Sequence, residues 1–226
     1  MTDGPRFATR QADHPVDEIF LRRWSSRAMS GEALTRAEVA TVLEAARWAP
    51  SAYNEQPWRF LYVFPDSPLW TTYVDTLFEV QRQWVARAGA LALILSRRTY
   101  ERSGKPSRAY SFDAGAACQN ACLQAAAMGL VSHVVQGFDD LALRRALAVP
   151  DVFSVEFILV LGRPGDPDLL PAALQVREMP TPRRRVDEFA FEGLLPVEAG
   201  GQPLPAAEDD RLQHSTEGAS HDTIDA

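Results

Sequence analysis

Several things are scarce in this 226-residue chain, and each scarcity removes a class of protein. Only two cysteines occur, Cys118 and Cys122. Four residues apart, they share one face of a helix among small apolar neighbours, where a disulfide is geometrically poor. They read as buried small hydrophobes rather than as a disulfide framework or a metal site. Lysine occurs once, at Lys105, and acidic residues exceed basic ones to give a formal net charge of -7. A nucleic-acid partner is not expected from that balance. No apolar run approaches the ~20 residues of a membrane span, and no charged-then-apolar leader opens the chain, so the expectation is a cytoplasmic protein that does not enter a membrane. The four histidines, at 14, 133, 214 and 221, form no metal-ligand spacing. Phosphate loops, dinucleotide-binding glycine fingerprints, nucleophile elbows and zinc-protease helices are missing too. An enzyme built this way carries its chemistry on a cofactor.

What is present is 46% hydrophobic residues, enough for one substantial core. The expected organisation is a flexible segment 1–14, one domain over 15–195, and an acidic, Pro/Gly/Ala-rich disordered tail over 196–226. Residues 16–24 read as a helix. Thr35 and Glu38 form a capping box opening a second, which Pro50 ends. A strand is expected at 59–64, one long amphipathic helix at 69–87, and a central strand at 90–95. An alanine-rich helix at 111–130 is either the centre of the fold or a helix-on-helix dimer seam, closed by Gly129. Strands follow at 131–135 and 155–161, with a short helix between them. Residues 186–191 alternate as an edge strand would.

Two stretches suggest a ligand with both a charge and a ring. Arg22-Arg23-Trp24-Ser25-Ser26-Arg27 packs three guanidiniums and two hydroxyls near a helix end, which suits a phosphate. Pro50-Ser51-Ala52-Tyr53-Asn54-Glu55-Gln56-Pro57-Trp58 is a turn-rich loop of small and amide side chains that can lie flat on a planar group. A second arginine cluster stands at 183–185.

Together these motifs resemble the nitroreductase family of FMN-dependent oxidoreductases. The resemblance covers 17–193 and includes Asp113 to Leu130 as the central helix, His133 to Asp139 as a Gly-Phe-Asp turn, and Glu178 to Phe191 as a C-terminal phosphate-contacting segment. It implies an α+β fold with a central, mostly antiparallel sheet of four to five strands flanked by helices, in an intertwined homodimer holding FMN at the subunit interface. Arg23, Trp24, Ser25 and Arg27 would bind the flavin phosphate and pyrimidine edge, with Arg183 and Arg185 as further phosphate ligands. Pro50, Ser51, Ala52 and Asn54 would line the ring from the other subunit. Gln81 would touch the flavin edge, and the backbone at Gln136 and Gly137 would face flavin N5. The implied activity is ping-pong hydride transfer from NAD(P)H to a flat acceptor such as a nitroaromatic or quinone. Two alternatives stay open: a flavin-storing protein without reductase activity, and a relative that dehydrogenates or dehalogenates one metabolite. The chain departs from the family pattern at Met29 for phenylalanine, Gln81 for asparagine, Thr181 for a basic residue and Arg185 for proline.

Overall fold

The computed structural model describes residues 10–195, so the tail expected to be disordered lies outside the described residues. The chain divides into a unit ending at Arg183 and a second beginning at Arg184. The first unit carries α1 (Glu18–Arg22), α2 (Arg36–Arg47), β1 (Trp58–Val63), α3 (Trp70–Thr76), α4 (Glu79–Val85), β2 (Ala90–Arg97), α5 (Tyr110–Ala127), β3 (Val131–Val135), α6 (Asp140–Ala146), β4 (Phe153–Gly162) and α7 (Ala172–Gln175). The four strands form one antiparallel sheet in the order β1-β2-β4-β3, giving an α+β architecture.

β2 explains why its sequence is continuously apolar. Leu91, Leu93 and Leu95 point into one core with Tyr73, Trp84 and Leu143, while Ala90, Ala92 and Ile94 face a second core with α2 and α5. A strand covered on both faces has no polar side to display. The alanines of α5 divide the same way. Ala114, Ala117, Ala121 and Ala125 recur at three- and four-residue steps and are buried against the sheet and α2. With no bulk beyond Cβ, α5 can lie close to both. These alanines therefore belong to the centre of the fold. Cys118 and Cys122 are buried and unbonded in this layer. No helix of the described residues is long and apolar enough to cross a membrane.

Three expected elements differ. The long helix over 69–87 is two helices, because Leu77 and Phe78 are extended (ψ 142 and 157). Their backbone pairs with a different partner: Phe78 N donates to Gly137 O at 2.9 Å and Asp139 N to Thr76 O at 2.8 Å. Tertiary pairing thus interrupts the helix at Leu77 and Phe78, and periodicity does not register such competition. The edge strand at 186–191 is a single 3-10 turn, Val186–Glu188, in which the Glu188 carboxylate accepts from Arg185 N at 2.8 Å. The first helix is also short. Asp17 caps it, and it stops at Arg22 because the next residues are held extended by a distant carboxylate.

That carboxylate is Glu178, buried just after α7. Its Oε1 accepts from Ser26 Oγ, Arg27 N (2.8 Å) and Ala28 N (2.9 Å), 150 to 152 residues away in the chain. On the other side of the same segment, Ser30 N donates to Arg163 O and Gly165 N to Ala28 O. A Cβ on Gly165 would stand 2.3 Å from the Met29 carbonyl carbon, so only glycine admits this approach. Glu178→Ala strands two buried donors and a partly buried one. It should lower the free energy of unfolding by about 3 kcal/mol or more, read as a shifted urea midpoint at unchanged slope.

His133 on β3 packs its ring 4.7 Å from that of Trp84, and its Nδ1 lies 3.2 Å from Ser26 O. Burial, followed by the nearby Arg27 and Arg23 charges, pushes the imidazole down to about 4. In the unfolded chain it titrates near 6.5. Between those values the unfolded state binds more protons, so stability is fully present above about 6.5 and is lost as pH falls toward 4. In apoprotein, His133→Gln should flatten the loss of melting temperature between pH 6.5 and 4.5. An unchanged slope would show that His133 is not the titrating group.

Candidate functional site

The segment after α1 presents its charges because its backbone is already satisfied. Glu178 takes the amides of Arg27 and Ala28, and Arg163 O takes that of Ser30, while Ser26 turns inward onto Glu178 and Ser25 stays exposed. Arg23 and Ser25 lie together, with Arg23 Nη1 3.5 Å from Ser25 Oγ, and Ser25 is exposed. Arg27 Nη1 stands 4.0 Å from Glu178 Oε2. Trp24 lines a recess with Ser26, Gly129 and Ser132.

Two more guanidiniums join Arg23. Arg10 donates to Leu21 O (2.9 Å), Arg23 O (2.7 Å) and Thr181 O (3.2 Å), anchoring a residue of the segment expected to be flexible. Its pKa is lowered, first by burial and then by the charges of Arg183 and Arg23. Arg183 Nη1 curls onto Thr181 Oγ1 (3.1 Å) and Pro182 O (3.0 Å). Among the described residues, no ion pair neutralises Arg10, Arg23 or Arg183. Three converging cations without a carboxylate form a ready anion site. Arg185, by contrast, pairs with its neighbour Asp187 at 3.3 Å. Arg10 escaped the sequence reading because nothing local marks it. It reaches the cluster only through the backbone carbonyls of Leu21 and Arg23.

The 50–56 loop joins α2 to β1 and is built from unusual backbone. Tyr53, Asn54 and Gln56 all have positive φ, at 54, 56 and 48. Such a turn needs outside support. Ser51 Oγ accepts from Gln56 N at 3.0 Å, and Asn54 Oδ1 accepts from Gln56 Nε2 at 3.2 Å. The buried Asp113 carboxylate in the first turn of α5 accepts from Ala52 N at 3.1 Å. Ser51 and Ala52 are half-buried, while Pro50 and Asn54 are exposed.

The third part lies at the Gly137 turn. Gln81 of α4 packs directly over it, so that a Cβ at 137 would fall 2.5 Å from Gln81 Cδ. Gln81 Oε1 is buried with no hydrogen-bond partner. Gly137 O accepts from Phe78 N, and Gln136 is exposed. A buried amide oxygen without a donor is costly, and a polar ligand edge there would satisfy it.

The phosphate-type cluster and the loop lie at different levels of α5. The loop is tied to Asp113, whereas Arg23 acts through its charge on Cys118 and Cys122, five to nine residues further along α5. At 1.5 Å per residue, that is about 8–14 Å along the helix axis.

The chain matches the family model described as Nitroreductase family over residues 21–69 and 71–163. It is similar to an FMN-containing oxidoreductase of known crystal structure, at 38% identity and TM-score 0.81, covering 87% of this chain and 99% of that one. A nitroreductase-like protein of Desulfovibrio desulfuricans, crystallised in complex with FMN, is 27% identical at TM-score 0.65, covering 82% of this chain and 100% of that one. A nitroreductase family protein of Streptococcus pneumoniae shares the fold, at 18% identity and TM-score 0.63, over 77% of this chain and 98% of that one. Among proteins with curated descriptions, none matches. The family model accounts for more than half of the chain, including the Arg23–Arg27 segment, the 50–56 loop and the Gly137 turn, and the chain belongs to the nitroreductase family.

Proposed function

We propose that the protein is an FMN-dependent oxidoreductase that takes hydride from NAD(P)H and passes it to a flat acceptor such as a nitroaromatic or quinone. The observation that carries this reading is the unneutralised cluster of Arg10, Arg23 and Arg183 beside the Ser25 hydroxyl. The partnerless Gln81 Oε1 supports it independently, as a buried acceptor waiting for a ring donor. The solved relatives described as containing FMN support the choice of cofactor.

In this reading Arg23, Ser25 and Arg183 hold the FMN phosphate, and Arg10 fixes their backbone while adding charge. Arg27 faces the pyrimidine edge, where a cation favours the reduced, negatively charged ring. Its partial partner Glu178 keeps that guanidinium in place without neutralising it at contact distance. Gln81 contacts the ring edge, and the Gln136–Gly137 backbone presents an N–H toward flavin N5. When bound, FMN supplies reversible hydride acceptance. The protein's own part is to bind, orient and stack, which is why no acid–base pair is needed. Donor and acceptor use the same stacking face in turn, giving a ping-pong cycle in the cytoplasm, where nicotinamides are abundant.

In this reading the protein is a homodimer in which the 50–54 loop of one chain lines the ring held by the other. Pro50, Ser51, Ala52 and Asn54 then meet Arg23 and Arg27 only across the subunit boundary. A monomer that retained FMN tightly would refute this.

Replacing both Arg23 and Arg183 with alanine removes two charge-assisted contacts. At about 1.5–3 kcal/mol each, FMN affinity should fall by a hundredfold or more, measured by fluorescence titration of apoprotein. Gly137→Ala is subtler. The added methyl displaces the Gln81 amide, a movable side-chain end, so stability should fall by less than about 1 kcal/mol. Anaerobic flavin reduction should nonetheless slow at least about tenfold, because ring and backbone lose their registration. Wild-type reduction rates in this variant would remove the Gly137 turn from the site.

A further inference from the structure

Between β2 and α5 the chain forms a small hairpin that the family site does not account for. Residues 97–108 carry five cations, Arg97, Arg98, Arg102, Lys105 and Arg108, against the single carboxylate of Glu101, in a chain whose overall charge is negative. The hairpin is structured. Tyr100 N donates to Lys105 O (2.9 Å), Gly104 N to Tyr100 O (2.9 Å) and Ser107 N to Arg98 O (2.8 Å), and Gly104 makes the turn at φ 66.

It is also docked on the loop assigned to the flavin ring. The Tyr100 ring meets the Tyr53 ring edge-on at 5.7 Å, Glu101 N donates to Glu55 Oε2 at 2.9 Å, and Arg97 N donates to Pro57 O at 2.9 Å. Whatever surface the loop lines, the hairpin stands at its margin.

The cations divide by use. Arg98 is spent on the Asp151 carbonyl. Arg97 has its Nε buried with no hydrogen-bond partner. Arg102, Lys105 and Arg108 are exposed and make no side-chain hydrogen bond or ion pair among the described residues. Several other arginines meet carboxylates: Arg47 with Glu44, Arg82 with Glu79, and Arg163 with Glu32 and Glu38. A held cluster of uncompensated like charge costs energy through self-repulsion. An anionic ligand arriving there relieves it.

We infer that the hairpin is an anion-recognition element of the active site, with Arg102, Lys105 and Arg108 selecting a reactant that carries a phosphate or carboxylate. This rests on the flavin reading above. The anion has two possible sources: the 2′-phosphate that distinguishes NADPH from NADH, or an acidic group on the acceptor.

Both arms of the test use the FMN-loaded protein and the triple variant Arg102→Gln/Lys105→Gln/Arg108→Gln, whose positions are exposed and whose folding is checked by circular dichroism. One arm compares NADPH with NADH in anaerobic flavin reduction. The other compares 4-nitrobenzoate with its neutral amide as acceptors. The variant should lose about tenfold or more in kcat/KM for the charged member of one pair, with less than twofold change for the neutral member. The pair that moves identifies the source of the anion. Raising ionic strength should erode the parent protein's preference for the same charged reactant. Charged-to-neutral ratios that stay within twofold in both pairs, in variant and at high salt, would overturn the inference while leaving the oxidoreductase reading intact. A parent protein that binds FMN but accepts no hydride from either nicotinamide would overturn the oxidoreductase reading itself, and this inference with it.

Discussion

One buried carboxylate organises the candidate site. Glu178 Oε1 receives three hydrogen bonds from Ser26, Arg27 and Ala28, and this contact ties the end of the first unit to the residues after α1. Burying a charge is costly unless hydrogen bonds replace its water. Here the donors are mostly backbone amides, which would otherwise need partners of their own. The same contact ends α1, straightens residues 23–28 and leaves Arg23 and Ser25 to project, with Arg27 held beside Glu178. It also brings the following Pro-Thr-Pro-Arg stretch back to Arg10, which is how Thr181 O and Arg183 come to lie beside a residue near the start of the chain.

Much of the fold was legible because local pattern and tertiary position agree. The Thr35–Glu38 capping box forms as written, with Thr35 N reaching Glu38 Oε2 at 2.8 Å. Val131–Val135 is a strand with those same bounds, and Gly129 ends α5 at φ 72. Agreement fails where a distant segment competes. Nothing in the composition of residues 69–87 distinguishes a continuous helix from two helices joined by an extended pair. The deciding partner, the Gly137–Asp139 backbone, lies some sixty residues away. The segment 186–191 alternates correctly for a strand, yet a local Glu188 cap serves its backbone instead.

The site divides along the same line. Arg23, Ser25 and the 50–56 loop stand out by residue type and local spacing, whereas Gln81 and Gly137 enter only through the family resemblance. Arg10, Glu178 and Asp113 could not be assigned their roles from sequence, since each acts on backbone far away. Arg10 binds carbonyls 11 and 13 residues on and one 171 residues on, and Asp113 holds Ala52 from 61 residues away. Side chains that touch a ligand leave a motif. Those that position a backbone leave only a polar residue, to which the sequence attaches no partner.

The distribution of charge follows from this division. Carboxylates are placed where backbone amides or arginines need a fixed acceptor: Glu178 under residues 26–28, Glu38 at a helix start and on Arg163, and Asp113 under the strained loop. Two groups of cations have no ion-pair partner among the described residues: Arg10, Arg23 and Arg183, and Arg102, Lys105 and Arg108 on the 97–108 hairpin. Leaving six cations unpaired in two places, one beside the Ser25 hydroxyl and one beside the loop assigned to the ring, costs stability through repulsion and gains attraction for anions. The first cluster is half-buried in part and so retains its attraction in salt. The second is exposed and therefore screened. That contrast matches a tightly held cofactor at the first and an exchanging reactant at the second.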